Sequence, residues 1–125
     1  MKADIEKTRA YYEALSEKDL CGCIYCRCYR AGIREACPEA ADFLSSLGVD
    51  VEKPFETFPL EEQDGLVEFC GSQYLIFGTC PDGWTHKDGN LEFMKARSHP
   101  STGIEEEHFI LEMVSPIAVK RHFPR

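Results

Sequence analysis

Four of the seven cysteines in this 125-residue chain fall within eight positions, in "CGCIYCRCY" at residues 21–29. Sulfur at that density can do three things. Deprotonated thiols can converge on a soft cation, a pair can trade electrons as dithiol and disulfide, or reduced thiols can pack as small apolar side chains. Cys23-x-x-Cys26 has the spacing of a metal knuckle, in which a tight turn aims two sulfurs at one point. Zinc asks for four tetrahedral ligands, with sulfur at roughly 2.3 Å. Four cysteines so close together rarely enclose one ion unaided, because the chain would have to reverse too sharply. The spacing therefore predicts a zinc site of Cys21, Cys23 and Cys26, completed by a ligand from further along the chain. Cys80, in the turn "TCPDGW", is the best-placed candidate, with His86 and His99 as alternatives. Cys28 follows Cys26 by two and on a helix would leave that face. Cys37 and Cys70 read as small apolar side chains.

Two other readings of the run stay open. Cysteine is among the residues most often buried, so inert thiols could pack the start of a helix. A redox pair would use Cys23 and Cys26, with Arg27 and Arg30 favouring a thiolate, although the βαβ setting of a thioredoxin-like motif is missing. The spacing fits neither ferredoxin pattern, which argues against an iron–sulfur cluster.

A second candidate is "GIEEEHF", which gathers Glu105, Glu106, Glu107 and His108, with His99 upstream. Carboxylates and an imidazole on one loop can do acid–base work or hold a cation. Alternation would place Glu105 and Glu107 on one face, Glu106 and His108 on the other. A charge run at a strand entrance is more often a solvated edge that resists pairing. Trp84, the one tryptophan, reads as a lid folded over a sheet rather than a contact surface. The sequence contains no G-x-S-x-G, H-E-x-x-H or phosphate-binding glycine loop.

These residues must be positioned by an α+β fold. Asp4 can cap a first helix carrying Ile5, Thr8, Tyr12 and Leu15 and ending near Leu20. A second helix covers Cys26 to Ala36. Pro38 ends it and opens a third, "PEAADFLSSL", with Gly48 in the left-handed cap position. Residues 49–65, with Pro54 and Pro59, read as an extended strap. After Gly65 the apolar period changes to two: "LVEFC" and "QYLIFG" read as separate strands broken at Gly71-Ser72, followed by "LEFMKAR", "FILEMVS" and, beyond a break at Pro116, "IAVKR". The expectation is one domain over 1–125, with a helical half (1–48), a strap (49–65) and a mainly antiparallel sheet of four or five strands (66–125). Phe43, Leu47, Phe69, Leu75, Phe77, Phe93, Phe109 and Leu111 are expected to meet in one core.

Three stretches, "CxCxYC…Y", "CPE…FLxSLGVDxEKPFET" and "SxPSTGIEExHFxLE", resemble a family of small bacterial proteins of unknown function from clostridia-type organisms. The likeness runs from about Tyr11 to the last strand. It implies a shared fold and carries over no activity, cofactor, partner or functional residue.

Composition narrows the partners. The net charge of −8 repels phosphate, which argues against nucleic acid and anionic membrane. The basic clusters are Arg27, Arg30 and Arg34, and the tail Lys120, Arg121 and Arg125. The first residues lack a signal-peptide pattern and no apolar run approaches a membrane span, so a cytoplasmic location with reduced thiols is expected. Seven is also an odd number, which cannot pair fully within one chain. Three functions follow as expectations: a binding module with a structural zinc site, an acidic immunity-type inhibitor of a protein partner, or a small enzyme using the histidine–glutamate loop.

Overall fold

A computed structural model describes residues 1–120; Arg121 and Arg125 of the basic tail lie outside the described residues. After a two-residue strand at Lys2–Ala3, the first half of the chain is helical, as expected. Helix α1 (Ile5–Ala14) is capped by Asp4, whose carboxylate accepts the Lys7 N–H at 3.1 Å. It stops well before Leu20. The Lys53 ammonium donates to the Tyr12 and Leu15 carbonyls at 2.6 and 2.9 Å, satisfying the helix C-terminus and its partial negative charge. Ser16 and Asp19 then form a capping box around a separate 3₁₀ turn (Glu17–Asp19). Helix α2 (Ile24–Ala36) starts two residues earlier than Cys26 because Cys23 acts as its N-cap. Helix α3 (Pro38–Ser46) opens on its proline, and Gly48 follows at φ +86°. A Cβ at Gly48 would strike the Ile5 carbonyl, so glycine lets α1 lie against this turn.

The strands are β1 (Lys2–Ala3), β2 (Glu56–Gln63), β3 (Leu66–Thr79), β4 (Thr85–Asp88), β5 (Leu91–Lys95) and β6 (His108–Lys120). All pair antiparallel, in the order β1-β3-β6-β5-β4, with β2 beside β1 along the same edge of β3. Six strands thus replace the expected four or five, two of them before Gly65. The strap is in fact half strand: β2 forms a hairpin with β3 through Asp64 and Gly65, both at positive φ. Pro59 is accommodated at a register irregularity on this edge strand.

Neither expected break in the long strands occurs. β3 runs unbroken through Gly71, where any side chain would meet the Met113 carbonyl of β6. β6 runs unbroken through Pro116, because Phe69 pairs with Ile117 while Gly71 pairs with Val114. One extra residue on β6 makes a bulge there, where a missing N–H costs no ladder bond.

Between β2 and β1 the edge of β3 has no strand beside it, and α1 supplies the missing partners. The Leu75 carbonyl accepts from the Tyr12 hydroxyl at 2.7 Å, and the Phe77 N–H donates to Thr8 Oγ1 at 3.1 Å. The Asp4 N–H donates to the Phe77 carbonyl at 2.8 Å, and the Phe55 N–H to the Gln73 carbonyl at 2.7 Å. Side chains and loop backbone thus stand in for a ladder.

The helices cover one face of the sheet. Tyr12, Tyr29, Ile33 and Leu44 pack there on Phe69, Tyr74, Ile76, Phe93, Phe109 and Leu111, with Phe43 and Leu47 half-buried at the margin. Leu75 and Phe77 do not join them. Alternation along β3 sends both to the opposite face, where with Ile110 they form a second cluster beneath Ile104 and Phe55. The segment 96–107 folds back over that face.

Two measurements check this packing. Phe69→Ala and Phe93→Ala should each cost about 3–5 kcal/mol in denaturant unfolding, and the half-buried Phe43→Ala less. Thr8→Val keeps the volume but deprives the Phe77 N–H of its acceptor, and should cost about 1–3 kcal/mol.

Candidate metal centre

The chain reaches its cysteines from the 3₁₀ turn, and residues 21–23 lie across the first turns of α2. Arg30 holds them there: its Nη1 donates to the Cys21 carbonyl at 2.8 Å. Cys23, with extended backbone (φ −67°, ψ 158°), presents its sulfur to the helix N-terminus and accepts the Cys26 N–H at 3.4 Å. Cys26 points inward, its sulfur 3.2 Å from Thr57 Oγ1 on β2. The three sulfurs of Cys21, Cys23 and Cys26 lie within 4.8 Å of one another. A tetrahedral zinc with sulfur at roughly 2.3 Å sets its sulfurs roughly 3.8 Å apart, so a small contraction would complete such a grip. Cys21 and Cys23 are exposed and Cys26 is buried.

The two knuckle sulfurs differ in charge preference. At Cys23, partial burial raises the pKa, but hydrogen bonds from the Cys26 N–H, the Cys21 and Cys26 thiols and the Tyr25 N–H outweigh it and leave it below the ordinary thiol value. At Cys26, burial dominates and pushes the thiol up to about 12, only partly relieved by the Thr57 hydroxyl. The cause at Cys23 is the N-cap geometry; the arginine at position 30 acts on a carbonyl, not on a sulfur.

Cys80 does not join the three. It follows the end of β3, packed in the main core, with its thiol 3.7 Å from the Pro81 carbonyl. Its charged surroundings are the Met1 ammonium, Lys95 and Asp82, and burial raises its pKa. Thr57, beside Cys26, pairs with Ser72, eight residues back along β3. In extended chain that is roughly 25 Å. The alternatives are elsewhere too. His86 stacks on Phe43 at 4.5 Å, with Trp84 beside it at 6.4 Å, and His99 lies edge-on to Phe55 at 6.2 Å. Trp84 packs against the main core, as expected of a lid. Among the described residues, no fourth histidine, cysteine or carboxylate joins the group.

The remaining thiols are structural or peripheral. All seven cysteines are free. Cys28 is fully enclosed in the core and Cys37 is buried at the junction of α2 and α3. Cys70 is exposed rather than buried, because Val67 and Phe69 take the inward positions and alternation turns it outward.

The histidine–glutamate loop is folded rather than poised. Nδ1 of His108 lies 2.6 Å from the Glu106 carbonyl and Nε2 2.8 Å from Thr102 Oγ1, so both ring nitrogens are engaged. Glu106 is ion-paired with Lys7 of α1. Burial, then the neighbouring His99, lowers the His108 pKa. The strand begins only at His108, so the expected alternation of Glu105 to Glu107 has no sheet to act on.

Thr57 is the contact that sequence reasoning missed. Its signal lay in "ETFPLEEQ", whose alternation is interrupted by Pro59. No family model, curated protein or solved structure matches the chain.

Thiol reactivity should follow these environments. At neutral pH, iodoacetamide should label Cys23 faster than Cys70, although both are exposed, and Cys26 and Cys28 last. Peptide mapping by mass spectrometry over a time course reads the order. Equal rates at Cys23 and Cys70 would contradict the N-cap effect.

Proposed function

We propose that the chain is a metal-binding module that holds one soft divalent cation, zinc, through the thiolates of Cys21, Cys23 and Cys26. The observation that carries this reading is the convergence of three sulfurs within 4.8 Å on one loop and one helix N-terminus. Sulfur donors select zinc-like soft cations over magnesium or calcium, which take oxygen. Two of the three thiols face solvent, so the fourth position is filled from outside this set, by water or by a group of a bound partner. A partner with a basic surface suits the net charge of −8. Reduced thiols suit a cytoplasmic setting.

Such a site stands apart from the main core: Cys21, Cys23 and Cys26 are not among the side chains that pack helices on sheet, and the site meets the sheet where Cys26 touches Thr57. The cation therefore stabilises the chain by mass action, in proportion to its concentration over its dissociation constant, rather than by allowing it to fold.

Elemental analysis of protein purified without chelator, and again after zinc addition and desalting, tests the reading. About one zinc per chain is expected, lost in Cys23→Ser and retained in Cys28→Ser, Cys70→Ser and Cys80→Ser. Chelation should lower the melting temperature modestly and leave the far-UV circular dichroism unchanged. Less than about 0.2 zinc per chain, with no uptake on addition, would end the proposal.

A further inference from the structure

We propose that Cys23 and Cys26 also form a dithiol–disulfide couple that reduces an external disulfide of the glutathione or protein class. Accessibility divides the work between them. Cys23 is exposed at the start of α2, where an incoming disulfide can reach its sulfur. Cys26 is 6% exposed and faces Thr57, so an external disulfide cannot reach it, whereas the Cys23 sulfur beside it can. Residues three apart on a helix have Cβ atoms roughly 5–6 Å apart. A disulfide needs roughly 3.5–4.5 Å. The difference is a small movement of Cys23, which lies outside the helical backbone with solvent on one side.

The chemistry balances with groups already named. The Cys23 sulfur attacks one sulfur of the external disulfide, forming a mixed disulfide and releasing one thiol. The Cys26 sulfur then attacks Cys23 in that mixed disulfide, forming the Cys23–Cys26 bond and releasing the second thiol. The chain loses two electrons, the external disulfide gains them, and the two thiol protons leave on the released thiols. The Cys26 N–H, already directed at the Cys23 sulfur, stabilises the charge that sulfur carries before it attacks, and again when the Cys23–Cys26 bond is reduced and Cys23 leaves.

A consequence rests on the metal reading given above. Once joined to each other, Cys23 and Cys26 cannot serve as thiolate ligands, so oxidation expels the cation and a cation in place shields the couple from exchange.

The test uses the full chain, treated with chelator and incubated with glutathione disulfide. Peptide mapping should find a Cys23–Cys26 link, with two glutathione thiols released per chain. Cys26→Ser should stop at a stable glutathione adduct on Cys23, Cys23→Ser should form no internal link, and Cys70→Ser should behave as the parent. No internal link in the parent chain, a link that omits either residue, or an adduct in Cys26→Ser on another cysteine would each overturn the couple. The same incubation of zinc-loaded chain with a colorimetric zinc indicator reads the consequence. Zinc should appear as the link forms, and zinc still bound to mapped, linked protein would overturn the coupling. If the chain takes up no zinc at all, the metal reading fails while the chelated experiment still decides the couple.

Discussion

The place of the cysteines depends on a phenol one helical turn away. Tyr29 is fully buried on α2, with its hydroxyl 2.8 Å from Ser72 Oγ and 2.7 Å from the Tyr74 hydroxyl, both on β3. Tyr74 in turn donates to the Val51 carbonyl at 2.8 Å. A hydroxyl has a single proton to give, so that last bond sets the direction of the chain: Ser72 donates to Tyr29, Tyr29 to Tyr74, and Tyr74 to the carbonyl. An unpartnered buried hydroxyl costs roughly 1–3 kcal/mol on mutational scales, and sliding α2 along the sheet would orphan several together. The network therefore admits one height of the helix against β3. At that height Cys26 falls opposite Thr57, which pairs with Ser72, and the N-terminus of α2 opens toward solvent with Cys23 at its cap.

β3 is the common reference for the remaining elements. Its inward side chains meet the helices, its outward Leu75 and Phe77 meet the segment 96–107, and its backbone engages β6 on one edge and β2, α1 and β1 on the other. None of these contacts uses a sulfur of the exposed cluster. The loop at residues 21–23 is thus tethered by Arg30 and by the helix cap, at the margin of a fold that is complete behind it. A site carried this way has a rigid floor, Cys26 and Thr57, and an adjustable wall, Cys21 and Cys23. That division suits the proposed chemistry, in which the sulfurs draw together around an ion or two of them pair.

The helical half was legible because its signals are local. Asp4, Pro38 and Gly48 act on groups within a few residues of themselves, and their roles follow from cap chemistry. The sheet was harder because its signals are answered by distant chain. Pro59, Gly71 and Pro116 read as breaks, yet each sits within a strand where an edge, a close backbone approach or a bulge excuses it. The run "YLIF" in β3 offers two apolar faces, and alternation alone cannot say that a loop will cover the second. Three of the four expected ligands are neighbours in sequence and proved to be neighbours in space. Cys80 failed to join them for the converse reason: a turn at one end of a long strand says nothing about which end a helix N-terminus will meet.

The two chemistries proposed for the cluster answer one electrostatic problem. A sulfur as buried as Cys26 resists ionisation, with its pKa raised to about 12, while Cys23 beside it ionises more readily than an ordinary thiol. Two thiolates at this separation repel by about 4 kcal/mol or less in the effective dielectric of a protein surface, and a third adds to it. The reduced cluster thus keeps protons on part of its sulfur. A divalent cation removes the difficulty by supplying positive charge in place of those protons. A disulfide removes it differently, by leaving two sulfurs with no charge to place. Both outcomes bring Cys26 into bonding without leaving a bare anion behind Thr57, which is why the buried member of the cluster, rather than the exposed ones, governs what the site can do.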